Sequence, residues 1–294
     1  MDINSLLEEG RGKLSSSKSL AEGGTSALDA EVLLAYTLGV SREYLTVNLW
    51  EGLPDTEAGL YRKYLDRRAA GEAVAYITKG KEFYGMDFYV DDRVLIPRPE
   101  TEMIVDEVLK YISGLGDEVQ GKLLDVGTGS LNITAAILAN APGFYAHAVD
   151  ISDDALEVAR MNSEYHGIEE RTELYQSDLL SNVDDKDFDV IVANLPYIGR
   201  IENDTASENV RKFEPESALY GEASVENSDG LELYKLLVQQ LRDKDVGFNL
   251  LIGEFGEGQA DAVSAFLNNY FVHYEIKKDL AGIPRIFVVR QDSV

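Results

Sequence analysis

The chain has 294 residues, enough for about two domains with a substantial hydrophobic core, and its 45% hydrophobic and 27% charged content with only 7 prolines excludes wholesale disorder. Lys and Arg number 27 against 53 Asp and Glu, a net charge of −26, so counterion release can supply little affinity for nucleic acid. The absence of cysteine excludes disulfides, thiolate nucleophiles and zinc-thiolate sites, and a total of 3 histidines disfavours a histidine metal centre, so no metal is expected.

Residues 1 to about 72 read as helical, with apolar positions at three- and four-residue spacings such as Leu28, Val32, Leu33 and Tyr36. Further helix starts are expected at Ser41, ahead of Arg42 to Asn48, and at Asp55, ahead of a stretch to Ala70. Lys81 to Val90 places aromatic and β-branched residues around Gly85, the mark of a hairpin. From residue 96 short apolar runs alternate with helical stretches, as in a parallel sheet with crossover helices. Strands are expected at Lys122 to Val126, Tyr145 to Asp150, Thr172 to Gln176, Phe188 to Ala193 and Asn249 to Glu254. Helices are expected at Glu102 to Ser113, Ile133 to Asn140, Asp153 to His166, Leu231 to Arg242 and Gln259 to Asn269. Phe271 to Ile276 and Arg285 to Arg290 read as an antiparallel edge hairpin around a Gly-Ile-Pro turn. Residues 198 to 228 are polar and without a strong period, a candidate substrate-covering segment. The N-terminus has no apolar stretch behind basic residues, and no run of roughly 18 apolar residues occurs, so a cytoplasmic protein without a membrane partner is expected.

Two motifs carry chemistry. In Leu123-Leu124-Asp125-Val126-Gly127-Thr128-Gly129-Ser130 a hydrophobic strand runs into a glycine turn and then a helix, a place where a ligand can approach the backbone. The same residues also suit an ordinary tight turn. Asp150, 21 residues beyond Gly129 at the end of the next strand, is placed to accept ribose hydroxyls or to cap a helix, as neighbouring Ser152 also can. Asn132 stands at the third glycine of the dinucleotide fingerprint, and the chain is rich in carboxylates. Both points favour the phosphate-free, positively charged cofactor S-adenosylmethionine.

The second motif is Asp187-Phe188-Asp189-Val190-Ile191-Val192-Ala193-Asn194-Leu195-Pro196-Tyr197, a buried strand ending in Asn, Pro and Tyr. Methylating an amide or aromatic amine needs acceptors for its N–H groups, because positive charge develops on nitrogen as the methyl arrives. The Asn194 oxygen and the Leu195 carbonyl can each take one, while Tyr197 packs on the planar group. A strand followed by a proline turn is the alternative.

With Val94-Leu95-Ile96-Pro97-Arg98-Pro99-Glu100-Thr101-Glu102, Glu82-Phe83-Tyr84-Gly85, Asp29-Ala30-Glu31-Val32-Leu33-Leu34 and Glu214-Pro215-Glu216-Ser217-Ala218-Leu219, nearly the whole chain resembles the HemK/PrmC-type methyltransferases of the glutamine in the Gly-Gly-Gln motif of peptide chain release factors. The resemblance implies a Rossmann-like S-adenosylmethionine-dependent α/β methyltransferase sheet with an antiparallel edge hairpin, preceded by a small all-helical domain. It implies a substrate-recognition domain over 1–80, a hairpin linker over 81–95 and a methyltransferase domain over 96–294. Cofactor contacts then fall on Gly127, Thr128, Gly129, Ser130, Leu131, Asp150, Asp178, Leu179 and Asn194, and the catalytic clamp on Asn194, Leu195, Pro196 and Tyr197. The implied partner is a release factor and the implied state a monomer. The family usually has glycine where Leu131 stands and Asn-Pro-Pro-Tyr where this chain has Asn-Leu-Pro-Tyr.

A nucleic-acid adenine methyltransferase uses the same clamp chemistry on a flipped base. Residues 1–80 hold 12 acids and 9 bases, a net −3, which leaves −23 on the remaining 214 and disfavours a phosphate backbone there. A catalytically weak binding protein of the same fold is the third reading. Trp50 is expected to pack in the helical domain and His147 to be a satisfied core histidine. Arg98 is expected either to pair with Glu100 or Glu102 or to stand near the cofactor.

Overall fold

The structure, a computed structural model, describes residues 1–20, 25–116, 119–198, 207–220 and 229–291. It divides the chain into one unit of Met1–Gly80 with Ser207–Phe213 and another of Lys81–Ala206 with Glu214–Val294.

The first unit holds α1 (Ile3–Ser15), α2 (Ser26–Leu38), α3 (Arg42–Val47), α4 (Asp55–Ala69) and α5 (Val74–Thr78). Asp2 and Ser41 start α1 and α3 by accepting from the Ser5 and Tyr44 N–H groups. Asp55 is not the residue ahead of a helix but the first residue of α4, with Pro54 at the cap, so its carboxylate faces the positive end of the helix dipole. The buried stripe of α2 also differs from expectation. Asp29, Ala30, Leu33 and Leu34 are buried, whereas Leu28 and Tyr36 are exposed. A salt bridge from Arg68 at 2.8 Å is what lets the Asp29 carboxylate turn inward. Trp50 does not pack in the core: it is 79% exposed, in the turn after α3. Ser207–Phe213, expected within the 96–294 methyltransferase domain, instead belongs with this unit. The Asn209 amide donates to the Ser19 carbonyl at 2.7 Å, and Gly71 makes room, since a Cβ there would stand 2.2 Å from Asn209 Oδ1.

The second unit begins with a hairpin of β1 (Lys81–Phe83) and β2 (Met86–Phe88), joined by Tyr84 and Gly85, both at positive φ as a tight two-residue turn requires. There follow α6 (Glu102–Leu115), β3 (Gly121–Val126), α7 (Asn132–Asn140), β4 (Phe144–Asp150), α8 (Asp153–His166), β5 (Thr172–Gln176) and β6 (Asp187–Ala193). Two short helices, α9 (Glu208–Phe213), which belongs with the first unit, and α10 (Glu216–Tyr220) of the second, occupy part of the stretch read as aperiodic. Most of the candidate covering segment, 199–206 and 221–228, lies outside the described residues. The chain closes with α11 (Glu232–Asp243), β7 (Gly247–Glu254), α12 (Ala260–Leu267), β8 (Tyr274–Lys278) and β9 (Pro284–Arg290).

Among the described residues seven strands form one sheet in the order β5-β4-β3-β6-β7-β9-β8, parallel through β7, with β9 antiparallel to β7 and to β8. β8 starts later than the expected Phe271, because the Phe271 N–H still closes the end of α12 on the Leu267 carbonyl. Alternate residues of the central strands enter two cores. Leu123, Val190 and Val192 join α6 and α7 on one face, and Leu124, Ile191 and Leu251 join α11 and α12 on the other. Burial on both faces is why these strands read as continuous apolar runs.

Candidate active site

β4 and β5 lie to one side of β3 and β6 to the other, so the strand order reverses between β3 and β6. Ligands of open α/β sheets bind at such a reversal, beyond the carboxyl ends of the strands. The two sequence motifs end there side by side. Val126 pairs with Ala193, so Gly127 and Asn194 leave the sheet as neighbours. Above them is a cavity of about 210 Å3 lined by both turns and by Leu95, Pro97, Arg98 and Thr101.

Gly127 and Gly129 have φ of +75° and +53°, conformations that favour glycine, and a Cβ on Gly127 would come within 3.1 Å of Leu195 Cδ2. The turn is fastened to β4: the N–H groups of Gly127 and Thr128 donate to the Val149 carbonyl at 2.8 and 3.0 Å. Asp150 fastens it again, accepting from the Gly129 N–H at 2.9 Å through Oδ2 and from the Ser152 N–H at 3.0 Å through Oδ1. Ser152 Oγ caps α8. Burial raises the Asp150 pKa, partly offset by these bonds. Beneath the turn the fully buried Asp125 accepts from the Thr128 and Thr134 hydroxyls at 2.8 and 2.7 Å, and burial pushes its pKa up to about 6. Asn162 of α8 ties the turn to the linker, donating to the Ser130 and Tyr89 carbonyls.

Of the expected cofactor contacts, Gly127, Thr128, Gly129, Ser130, Asp150, Asp178, Leu179 and Asn194 line the cavity. Leu131 does not. It sits at φ +69°, fully buried in the core shared with α6 and α7, so it shapes the turn from beneath.

Of the clamp residues, Asn194, Leu195 and Pro196 line the cavity, while Tyr197 stands outside its lining. The Tyr197 hydroxyl is instead held by Glu254, donating to Oε1 at 3.2 Å, and its carbonyl accepts from Gln259 Nε2 at 2.8 Å. Gln259 also donates to the Asp229 carbonyl and accepts from the Gly256 N–H, joining three loops. On its other side Glu254 accepts the Thr101 hydroxyl at 2.6 Å, and Thr101 accepts from Asn194 Nδ2 at 3.2 Å. The sequence reading singled out neither Glu254 nor Gln259. The available signal was an acid closing the apolar run of β7, as Asp150 closes β4.

Arg98 lines the cavity, but its ion-pair partner is Glu214, at 2.5 Å, and not Glu100 or Glu102. Glu102 is engaged by the Tyr84 N–H. Arg93, the other arginine of the lining among the described residues, pairs with Asp91 at 2.9 Å and Glu157 at 2.8 Å. His147 lies on β4, 8% exposed, with its ring nitrogens 3.2 and 3.4 Å from the Tyr175 and Tyr145 hydroxyls. Among the described residues no helix is long and apolar enough to cross a membrane.

The strand order, the edge hairpin and a glycine turn beside Asn-Leu-Pro-Tyr define a Rossmann-like methyltransferase. The N-terminal domain of human METTL16 shares this fold, with a TM-score of 0.52 at 14% identity over 94% of this chain and 97% of that one. Residues 7–78 match the PrmC N-terminal domain and 107–213 the methyltransferase small domain. The release factor glutamine methyltransferase of Koribacter versatilis is 37% identical over 93% of this chain and 94% of its own length. That of Bacillus subtilis is 37% identical over 90% and 92%. The chain belongs to the release factor glutamine methyltransferase family.

Proposed function

We propose that the chain transfers a methyl group from S-adenosylmethionine to the side-chain amide nitrogen of the glutamine in the Gly-Gly-Gln motif of a peptide chain release factor. The observation that carries this reading is the pairing of Val126 with Ala193, which puts the glycine turn and the Asn194 clamp against one cavity.

The residues present fit the cofactor. The turn offers backbone and no bulky side chain, Asp150 stands on the lining, and among the described residues both lining arginines are already paired with acids, which disfavours a pyrophosphate. Gly127 to Ser130, Asp150, Asp178, Leu179 and Asn194 would hold it, and its sulfonium would supply an activated methyl group, leaving S-adenosylhomocysteine as the sulfur–methyl bond breaks. Asn194 Oδ1 and the Leu195 carbonyl accept the two N–H groups of the substrate amide and aim the nitrogen lone pair. Pro196 shapes the wall beside them, and Tyr197, outside the lining with its hydroxyl anchored on Glu254, braces the clamp turn from behind and does not pack on the amide plane as expected. As the N–CH3 bond forms, the nitrogen becomes acidic and loses one proton to water or a clamp oxygen, so no strong base is needed beforehand.

Residues 1–80 serve to recognise the protein substrate, with Val47 and Trp50, 82% and 79% exposed, offering apolar surface for it. The enzyme acts as a monomer in the cytoplasm. The test is mass spectrometry of a release factor incubated with the protein and labelled cofactor. The glutamine of Gly-Gly-Gln should gain one methyl, and label on adenine of nucleic acid instead would overturn the proposal.

A further inference from the structure

Asn194 can hold a substrate N–H only if its oxygen, and not its NH2, faces the amide. The two ends of such a side chain are nearly isosteric, so a neighbour must choose between them. In this site the choice is traceable to one buried carboxylate.

Glu254 is fully buried at the end of β7. An ionised carboxylate only accepts, so both hydroxyls that face it donate: Thr101 to Oε2 at 2.6 Å and Tyr197 to Oε1 at 3.2 Å. Thr101 has a single proton, and with that proton committed its oxygen is left as an acceptor. The Asn194 group 3.2 Å away must then present Nδ2 to it, which turns Oδ1 to the other side. A donor at position 254 would remove this compulsion, because Thr101 could then accept from 254 and give its proton to Asn194 Oδ1.

We infer that Glu254 is a positioning residue that, acting through the Thr101 hydroxyl, sets which end of the Asn194 amide faces the substrate. The inference rests on the glutamine-methylating reading of the site and adds to it a group that touches neither substrate nor cofactor. Burial is the main influence on the Glu254 pKa and, with the negative charge of Glu100, raises it to about 7. The Thr101 and Tyr197 hydroxyls and the Arg285 guanidinium oppose the rise. The buried Tyr234 hydroxyl meets Glu254 at its backbone carbonyl, at 2.6 Å, and also lies 3.0 Å from the Ala193 carbonyl and accepts from the Leu195 N–H. The orientation is therefore enforced when Glu254 is ionised and relaxes as the pH falls and it takes up a proton.

The experiment follows the Asn194 side-chain amide by NMR in asparagine-labelled full-length protein, alongside turnover of a release factor. In the wild type the amide signal should titrate with a midpoint near the Glu254 pKa of about 7, and this titration should be absent in Glu254→Gln and Thr101→Val. Thr101→Val should lower kcat at least about tenfold while KM changes less than about threefold, since alignment and not binding is lost. Thr101→Ser should restore kcat, and S-adenosylhomocysteine affinity should hold throughout. An unchanged kcat in Thr101→Val, or the same titration in Glu254→Gln, overturns the inference. Should the wild type transfer no methyl at all, the glutamine-methylating reading fails, and the NMR titration by itself still decides the role of Glu254.

Discussion

Asp150 Oδ2 lies 2.9 Å from the backbone nitrogen of Gly129, so the acid ending β4 holds the glycine turn that follows β3. The same residue lines the cavity in which the proposed cofactor would sit. Replacing Asp150 by alanine should weaken S-adenosylhomocysteine binding, since hydrogen bonds to a charged acceptor contribute roughly 1.5–3 kcal/mol each. Titration calorimetry on the folded variant checks this. Unchanged affinity would restrict Asp150 to anchoring the turn.

Leu131 yields a different balance. As a non-glycine residue at φ +69° it carries a backbone cost of roughly 1–2 kcal/mol, which glycine would relieve. Its side chain is fully buried, and removing a core leucine costs roughly 2–5 kcal/mol. Packing wins, so Leu131→Gly should lower stability by about 1–3 kcal/mol in chemical denaturation. Cofactor affinity should stay close to wild type, because the side chain is not on the cavity lining. A large loss of affinity at unchanged stability would show that Leu131 acts on the ligand directly.

Glu254 makes stability depend on pH with a definite sign. Its pKa is raised from 4.5 to about 7 in the folded protein, so the folded state binds the proton more tightly than the unfolded one. The resulting stabilisation is complete below 4.5 and lost as the pH rises through about 7. Glutamine cannot ionise. The stability of the wild type relative to Glu254→Gln should therefore fall between these two values and level off above them. Parallel denaturation curves across the range test it, and a constant difference would mean that Glu254 titrates alike in both states.

The strand and helix series from 102 onward was legible because burial on both sheet faces writes continuous apolar runs, as in Val190 to Ala193, and crossover helices separate them. The α2 stripe was misread for a local reason: Asp29 looks like a solvent residue until Arg68, 39 positions away, is seen to neutralise it. The motif residues that line the cavity, Gly127 to Ser130 and Asn194 to Pro196, stand together in the sequence. Their support does not, because Glu254, Thr101 and Asn194 come from three distant parts of the chain. Nor could spacing alone show that Leu131 turns its side chain into the core.

Asn194 is the residue on which the proposed chemistry depends most directly. It leaves β6 beside the glycine turn, lines the cavity, and commits its Nδ2 to Thr101, which leaves Oδ1 to accept from the substrate. Asn194→Ala should lower turnover of a Gly-Gly-Gln-containing release factor by orders of magnitude, since removing one pre-aimed acceptor of developing charge costs on the order of 3 kcal/mol. S-adenosylhomocysteine affinity should change far less, because the glycine turn and Asp150 remain. Asn194→Asp separates orientation from charge. It keeps acceptor oxygens but has no donor for Thr101, whose proton is already given to Glu254, so two acceptors would face each other across 3.2 Å. That variant should also be strongly impaired, and single-turnover assays at saturating cofactor should place the loss in kcat. Full activity in Asn194→Ala would remove the clamp from the mechanism.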